Sequence, residues 1–367
     1  MKFAKYEGRL LCRQRITWVI PILLALVMLV PYWRQVQQSA YPNAKVALTR
    51  GITIADAGTD ASLKQTVNEH GDQATAAKHQ LKLSRKVRAT ARKGDVTAFT
   101  QAAGEYMAYG SKHVLIARQD ASLYVYLAKH HINLVLLGNK LKPAINSLLL
   151  LTMEPNVTLL ILLVVAVMIS AWMTEGGRKR DEAFALIPRN QVQLGLTKVG
   201  LTVFGVIAAV VLAMGVVVGM MTMHGGFGAL NYPVLFKNTA GATVIVGIGQ
   251  ILGHYLILLV AWILFLTGIG YFVRTLSPRL IVNLIVLVAI ILLGQSTLMT
   301  GSLTSFALFW PSAYVDIGQI VTQGRLTTEM SETSALLPAM SASWLLVAYA
   351  VLFFGLALGI IAHRKHV

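Results

Sequence analysis

The chain has 367 residues, 56% of them hydrophobic and only 13% charged, with a formal net charge of +17. An ordinary soluble domain carries about 25% charged residues, so this composition excludes one and points to a membrane. Cys12 is the single cysteine, which rules out an intramolecular disulfide and a cysteine-built metal cluster.

Residues 1–15 are basic, with Lys2, Lys5, Arg9, Arg13 and Arg15 among Phe3, Leu10 and Leu11. Two readings fit: an amphipathic segment on the inner membrane surface, or a positive flank that only sets orientation. The apolar run 16–33 predicts a first membrane-spanning helix. It is long for a signal-peptide core and closes on Pro31, Tyr32 and Trp33, an interfacial aromatic set, which favours an anchor over a cleaved signal.

Residues 34–156 form the one sizeable region without a spanning run, and they predict a helical extracytoplasmic domain. A helix is expected over 62–93, ended by Gly94. Asp95 is placed to cap a second helix containing Phe99, Tyr106 and Met107, and Asp120 a third through Leu123, Tyr126 and Leu127. In the first of these, Lys78, Lys82, Arg85, Lys86, Arg88, Arg92 and Lys93 are expected on one face, opposite Ala76, Leu83, Val87 and Ala91. That face reads either as a contact for anionic polymer, lipid headgroup or acidic peptide, or more plainly as the solvated side of a packed helix. Residues 141–153 are apolar enough to lie on the membrane or to lead into the second span.

The run 157–173 predicts the second span and 199–223 the third, each long enough to cross roughly 30 Å of hydrocarbon at about 1.5 Å per residue. Between them, residues 174–198 form a charged step. Asp181 and Glu182 place negative charge at the start of a short helix, Phe184, Leu186 and Ile187 give it an apolar side, and Pro188 discourages its continuation. Asn190 is placed to cap the helix that follows. Further spans are expected at 243–273, 281–298 and 344–362, followed by a cytoplasmic tail at 363–367. The run 243–273 exceeds one crossing, so tilting, kinking or projection beyond the bilayer is expected. Residues 299–343 are more apolar than a free loop, with Phe306, Leu308, Phe309, Trp310 and Pro311, and predict a segment dipping into the outer leaflet under a cover of protein.

The fold class expected is therefore an all-α polytopic membrane protein with six transmembrane helices. Lys and Arg concentrate in the termini and in the loops after the second and fourth spans, including Arg178, Lys179, Arg180, Arg274 and Arg279. The shorter outer connections hold only Lys237 and Arg325. This bias puts both termini in the cytoplasm of a cell-membrane protein. It also accounts for about half of the net charge, and the remainder lies where nucleic acid is not a partner.

No Walker A pattern, HExxH zinc motif or GxSxG nucleophile turn occurs. His130 and His131 are adjacent and cannot share a helical face as metal ligands, so no metal site and no catalytic residue is expected. His254 lies in an apolar run beside Gln250 and Tyr255. An ionisable group at membrane depth marks either a polar pathway or a neutral bond between helices. Gly215 with Gly219, Gly249 with Gly253, and Gly355 with Gly359 carry the small-xxx-small spacing that permits close helix packing.

On these residues the chain resembles the permease subunit of type-2 ATP-binding-cassette (ABC) exporters. The layout of six spans with a helical domain after the first covers most of the length. The specific part is Glu175, Gly176 and Gly177, then Phe184, Leu186, Ile187 and Pro188, then Lys198 entering the third span. Tyr232 with Pro233, and residues 311–324, are compatible with the family's outer elements, whereas Arg178, Lys179 and Arg180 stand where small residues are frequent in it. The resemblance implies a coupling helix, with Glu175, Asp181, Glu182 and the 184–188 stretch as ATPase-coupling residues docking on a separate ABC ATPase subunit. It implies a second permease chain, identical or homologous, contact with membrane lipids, and ATP and Mg held by the partner, with no cofactor on this chain. A membrane-anchored sensor or scaffold with a ligand-binding outer domain is the main alternative, and a secondary transporter the next.

Overall fold

The computed structural model describes residues 15–39, 43–50, 57–68, 73–113, 121–136, 142–174, 191–237, 243–293, 309–322 and 339–363. The described residues are mostly helical. Five helices are long and apolar enough to cross a membrane, spanning Thr17–Gln37, Asn156–Thr174, Val192–Gly225, Ile248–Leu276 and Ala339–His363. By the length and composition of its helices, this is a helical membrane protein. A sixth apolar helix, Leu280–Leu293, is shorter, and residues 294–298 of the expected run lie outside the described residues.

In chain order the elements are α1 (Arg15–Gln37), α2 (Ala44–Arg50), α3 (Ala57–Asn68), α4 (Gln73–Lys93), α5 (Val96–Lys112), α6 (Ala121–Lys129), α7 (Ala144–Thr152), α8 (Pro155–Thr174) and α9 (Gln191–Gly225). They continue with β1 (Pro233–Lys237), β2 (Thr243–Gly247), α10 (Ile248–Leu276), α11 (Leu280–Leu293), a 3₁₀ turn at Pro311–Tyr314, α12 (Ile317–Thr322) and α13 (Ala339–His363). The chain divides into two compact units. The first comprises Met1–Pro31, Leu150–Val217 and Leu252–Val367; the second comprises Tyr32–Leu149 and Val218–Ile251.

The second unit is built on α4, α5 and α6. Its core is Leu48, Val87, Phe99, Tyr106, Met107 and Tyr124, supplied by amphipathic helices with one apolar side each. Gly94 adopts φ +78°, where a side chain would be strained, and so stops α4 as its sequence predicts. The Asp95 carboxylate then accepts from the Ala98 N–H at 3.0 Å and caps α5. The helix expected over 62–93 is two helices instead, α3 and α4, with residues 69–72 outside the described set. α6 begins at Ala121, and Asp120, its expected cap, lies outside the described residues.

One expectation is corrected here. Thr243–Gly247, taken from sequence as the start of the fourth span, pairs antiparallel with Pro233–Lys237, Leu235 facing Ile245 in register. Thr243, Val244, Ile245 and Val246 are β-branched and favour a strand, while hydropathy alone does not tell a short apolar strand from helix. This strand also absorbs the excess length of that run, and the helix proper starts at Ile248.

In the first unit, α8 and α10 are the most enclosed spans. Each has 72% of its apolar stretch buried, against 11% for α13. Residues 141–153 lead into the second span, as α7, with Leu148 and Leu151 buried.

Candidate functional site

Within the first unit, polar side chains occur singly in an apolar bundle; several hydroxyls, such as Thr174, Thr267 and Ser343, bond a carbonyl of their own helix, and a few polar groups reach a neighbouring element. Thr158 on α8 and Tyr255 on α10 are both buried, their hydroxyls 3.1 Å apart. At the midpoint of α10, the Trp262 Nε1–H donates to the Tyr314 carbonyl at 2.8 Å. The Ser312 hydroxyl donates to the Ile290 carbonyl at 2.6 Å, and Tyr349 on α13 donates to the Phe309 carbonyl at 2.9 Å. These bonds hold residues 309–322 against the neighbouring helices; residues 299–308 and 323–338 of the segment expected to dip into the outer leaflet lie outside the described residues.

Asp316 sits at the bend between the 3₁₀ turn and α12. One carboxylate oxygen accepts from the Gln319 N–H at 3.1 Å. Burial pushes its carboxyl above the ordinary value of 3.8, and that hydrogen bond partly offsets the rise. The carboxylate lies within electrostatic reach of the Tyr255 hydroxyl. Thr158, Tyr255 and Asp316 thus form a polar cluster drawn from α8, α10 and the loop before α12. Beside it, a narrow apolar crevice of about 10 Å³ is lined by Met28, Ile161, Val210, Met214, Tyr255 and Leu259. That is room for about one water-sized sphere, so any larger solute requires these helices to separate.

Of the residues singled out as a pathway, Tyr255 is buried in this cluster, His254 is half-buried, and Gln250 is exposed. The structure therefore supports Tyr255 as an interior group and does not gather the three into one site. Thr158 and Asp316 escape a reading by motif. The signal for Asp316 is a lone acid within the apolar stretch 311–324, where an ionisable group is costly unless it has a purpose.

The paired glycines are placed differently from expectation. A side chain on Gly215, Gly219, Gly253, Gly355 or Gly359 would meet nothing within 4 Å, whereas a Cβ on Gly249 would lie 3.2 Å from the Leu230 carbonyl, outside any helix. Tighter approaches occur at other glycines. A Cβ on Gly268 would lie 2.8 Å from the Ala350 carbonyl, and Gly205 sits against the Trp172 ring. Gly318 packs against the Thr152 backbone where α7 gives way to α8. The spacing marks where helices could come close; packing inside this chain uses other glycines.

The coupling residues Glu175, Asp181, Glu182, Phe184, Leu186, Ile187 and Pro188 lie outside the described residues. Their flanks are defined: α8 ends at Thr174 with Trp172 and Met173 buried, and α9 begins at Gln191, the residue after the expected Asn190 cap. In the second unit, Tyr232 is buried and its hydroxyl accepts from the Val135 N–H at 3.2 Å; burial raises its pKa and this bond partly offsets the rise. Among the described residues, no group of three or more His, Cys, Asp or Glu could hold a metal ion.

Comparison with known protein families, with curated proteins and with solved structures returns no match.

Proposed function

We propose that this chain is the membrane-spanning subunit of a type-2 ABC exporter, driven by ATP hydrolysed on a separate ATPase subunit. The observation that carries the reading is the junction around residues 175–190. A charged, internally patterned stretch is joined at one end to α8 and at the other to α9, with only these 16 residues between the two spanning helices. α8 is one of the two most enclosed helices, and it carries Thr158 of the polar cluster near its opposite end. A push on 181–188 would therefore act on a helix embedded in the bundle, some 20 Å from the cluster at about 1.5 Å per residue.

In this reading α11 and residues 294–298 complete a sixth crossing, both termini are cytoplasmic and the second unit stands outside the cell membrane. Two permease chains, identical or homologous, combine with two ATPases. ATP binding closes the ATPases, and the movement of the 181–188 element separates the helices that line the crevice. The chain itself performs no chemistry, and ATP and Mg are held by the partner.

The test is the double variant Phe184→Glu, Ile187→Glu in the assembled complex. Transport should be lost while ATP hydrolysis by the partner persists, because charge on the apolar side breaks the docking surface. A double variant that transports normally would sink the proposal.

The second unit's own core favours one other reading, a membrane-anchored sensor that signals through the same loop. Purification separates the two: a transporter subunit brings down a P-loop ATPase in stoichiometric amount, and a sensor does not.

A further inference from the structure

α4 carries seven Lys and Arg residues and no acid. At 100° per residue, Lys78, Lys82, Arg85, Lys86, Arg92 and Lys93 fall within an arc of roughly 120°, and all six are exposed. Arg88 falls outside that arc. It is half-buried, ion-paired with Asp60 and bonded to Ser84, whose hydroxyl donates to Asp60 at 2.6 Å. The sequence pattern had set Arg88 on the basic face, and the structure turns it to structural use. Lys86 pairs with Glu105 of α5 at 2.6 Å. Lys78, Lys82, Arg85, Arg92 and Lys93 have no acidic partner among the described residues.

A merely solvated helix face tends to alternate charge sign at i, i+4, because such pairs stabilise the helix. Here the neighbours Lys78 and Lys82, Lys82 and Lys86, and Lys82 and Arg85 are like-charged and repel one another. The stripe runs about 22 Å along the helix axis from Lys78 to Lys93. From its self-repulsion, narrowness and length we infer that this face binds a linear phosphate polymer, an anionic chain lying along the α4 axis.

The headgroup surface of a bilayer fits less well. A helix that lies on lipid presents an apolar side for insertion beside its basic flank. The apolar side of α4, Ala77, Val87 and Ala91, is buried within the unit, and no large apolar side chain is exposed on α4 or α5. Nothing is therefore left to enter the acyl region. This inference goes beyond the transporter reading and does not depend on it, since it concerns a face of the second unit alone.

The test uses the full chain in nanodiscs of neutral lipid, with inorganic polyphosphate of defined length as the probe. The wild-type chain should bind, with an affinity that falls as salt rises through counterion release. Lys82→Glu with Arg85→Glu should weaken binding at least tenfold. The milder Lys82→Gln with Arg85→Gln should weaken it less and reduce the salt slope by about two. The control Ser122→Glu, at an exposed position of α6 rather than α4, should bind within about twofold of wild type, allowing for its one added charge. Absence of polyphosphate binding at physiological salt, equal binding by wild type and charge-reversed chains, or tighter binding to anionic-lipid nanodiscs than to the polymer would each overturn the inference.

Discussion

The two units bury polar side chains under different rules. In the second unit, polar groups occupy one side of amphipathic helices and water takes most of them. The exceptions are tied inward, as Asp60 is by Arg88 and Ser84, and as Gln80 is by donating to the Tyr106 carbonyl at 2.8 Å. In the first unit the helices are apolar all round, so hydrophobicity cannot say which side faces in. Its arrangement is decided by single bonds such as Thr158 with Tyr255, and by glycines where two backbones approach. The comparison teaches that a polar residue in the second unit mainly reports where the surface is. In the bundle, a polar residue that does not bond its own helix reports which element lies next door.

This contrast can be broken most sharply at glycine. Gly268→Val drives a side chain into the Ala350 backbone, which has no rotamer by which to yield. Destabilisation of about 3 kcal/mol is expected, read as a lower melting temperature in detergent. Gly355→Val, on α13 but facing open space, should stay within about 0.5 kcal/mol in the single chain. Equal effects at the two positions would mean that packing in the bundle does not depend on these close approaches.

A smaller effect is expected in the second unit. Asp60→Ala leaves Arg88 without its carboxylate, and because Arg88 is half-exposed it regains water. The loss should be about 2 kcal/mol, toward the low end for a broken buried pair. Lys86→Ala removes an exposed pair and should cost no more than ~0.5 kcal/mol. If the two variants melt together, buried charge is not what distinguishes this unit's interior from its surface.

The smallest expected change concerns Asp316. Its carboxyl is raised above 3.8 in the folded chain, so between the unfolded and folded values the folded chain binds a proton that the unfolded chain has released. The stability this contributes at acid pH is lost as pH rises through the folded value. Asp316→Asn keeps an oxygen for the Gln319 N–H and should flatten that dependence, seen by comparing melting curves between about pH 4 and 7. An unchanged slope would show that burial of this acid has no consequence for the fold.

Much of the second unit was legible from residues. Gly94 as a stop, Asp95 as a cap and the buried line of Val87 and Ala91 follow from chain conformation and a period of 3.6, which are local properties. The strand at Thr243–Gly247 was not legible, because a partner strand ten residues earlier supplies its hydrogen bonds and hydropathy is blind to that partner. Nor were Thr158 and Asp316, since neither belongs to a motif and each acquires meaning only from what the fold sets beside it. Tyr255 was named only as a neighbour of His254, the ionisable group in an apolar run, and the fold, not that pattern, makes it the buried one of the two.

By itself the sequence determined that this is a helical membrane protein, where its long spans lie, and which helix of the second unit carries a basic face. Length, hydropathy and charge spacing are written residue by residue, and water and lipid read them without knowing the fold. Only the tertiary structure decided that Arg88 leaves that face for Asp60, that Thr158 meets Tyr255, and that Gly268 makes the close approach while Gly355 makes none. Those outcomes depend on which side of an evenly apolar helix turns inward, and that is settled by the neighbours a side chain finds, not by the side chain alone.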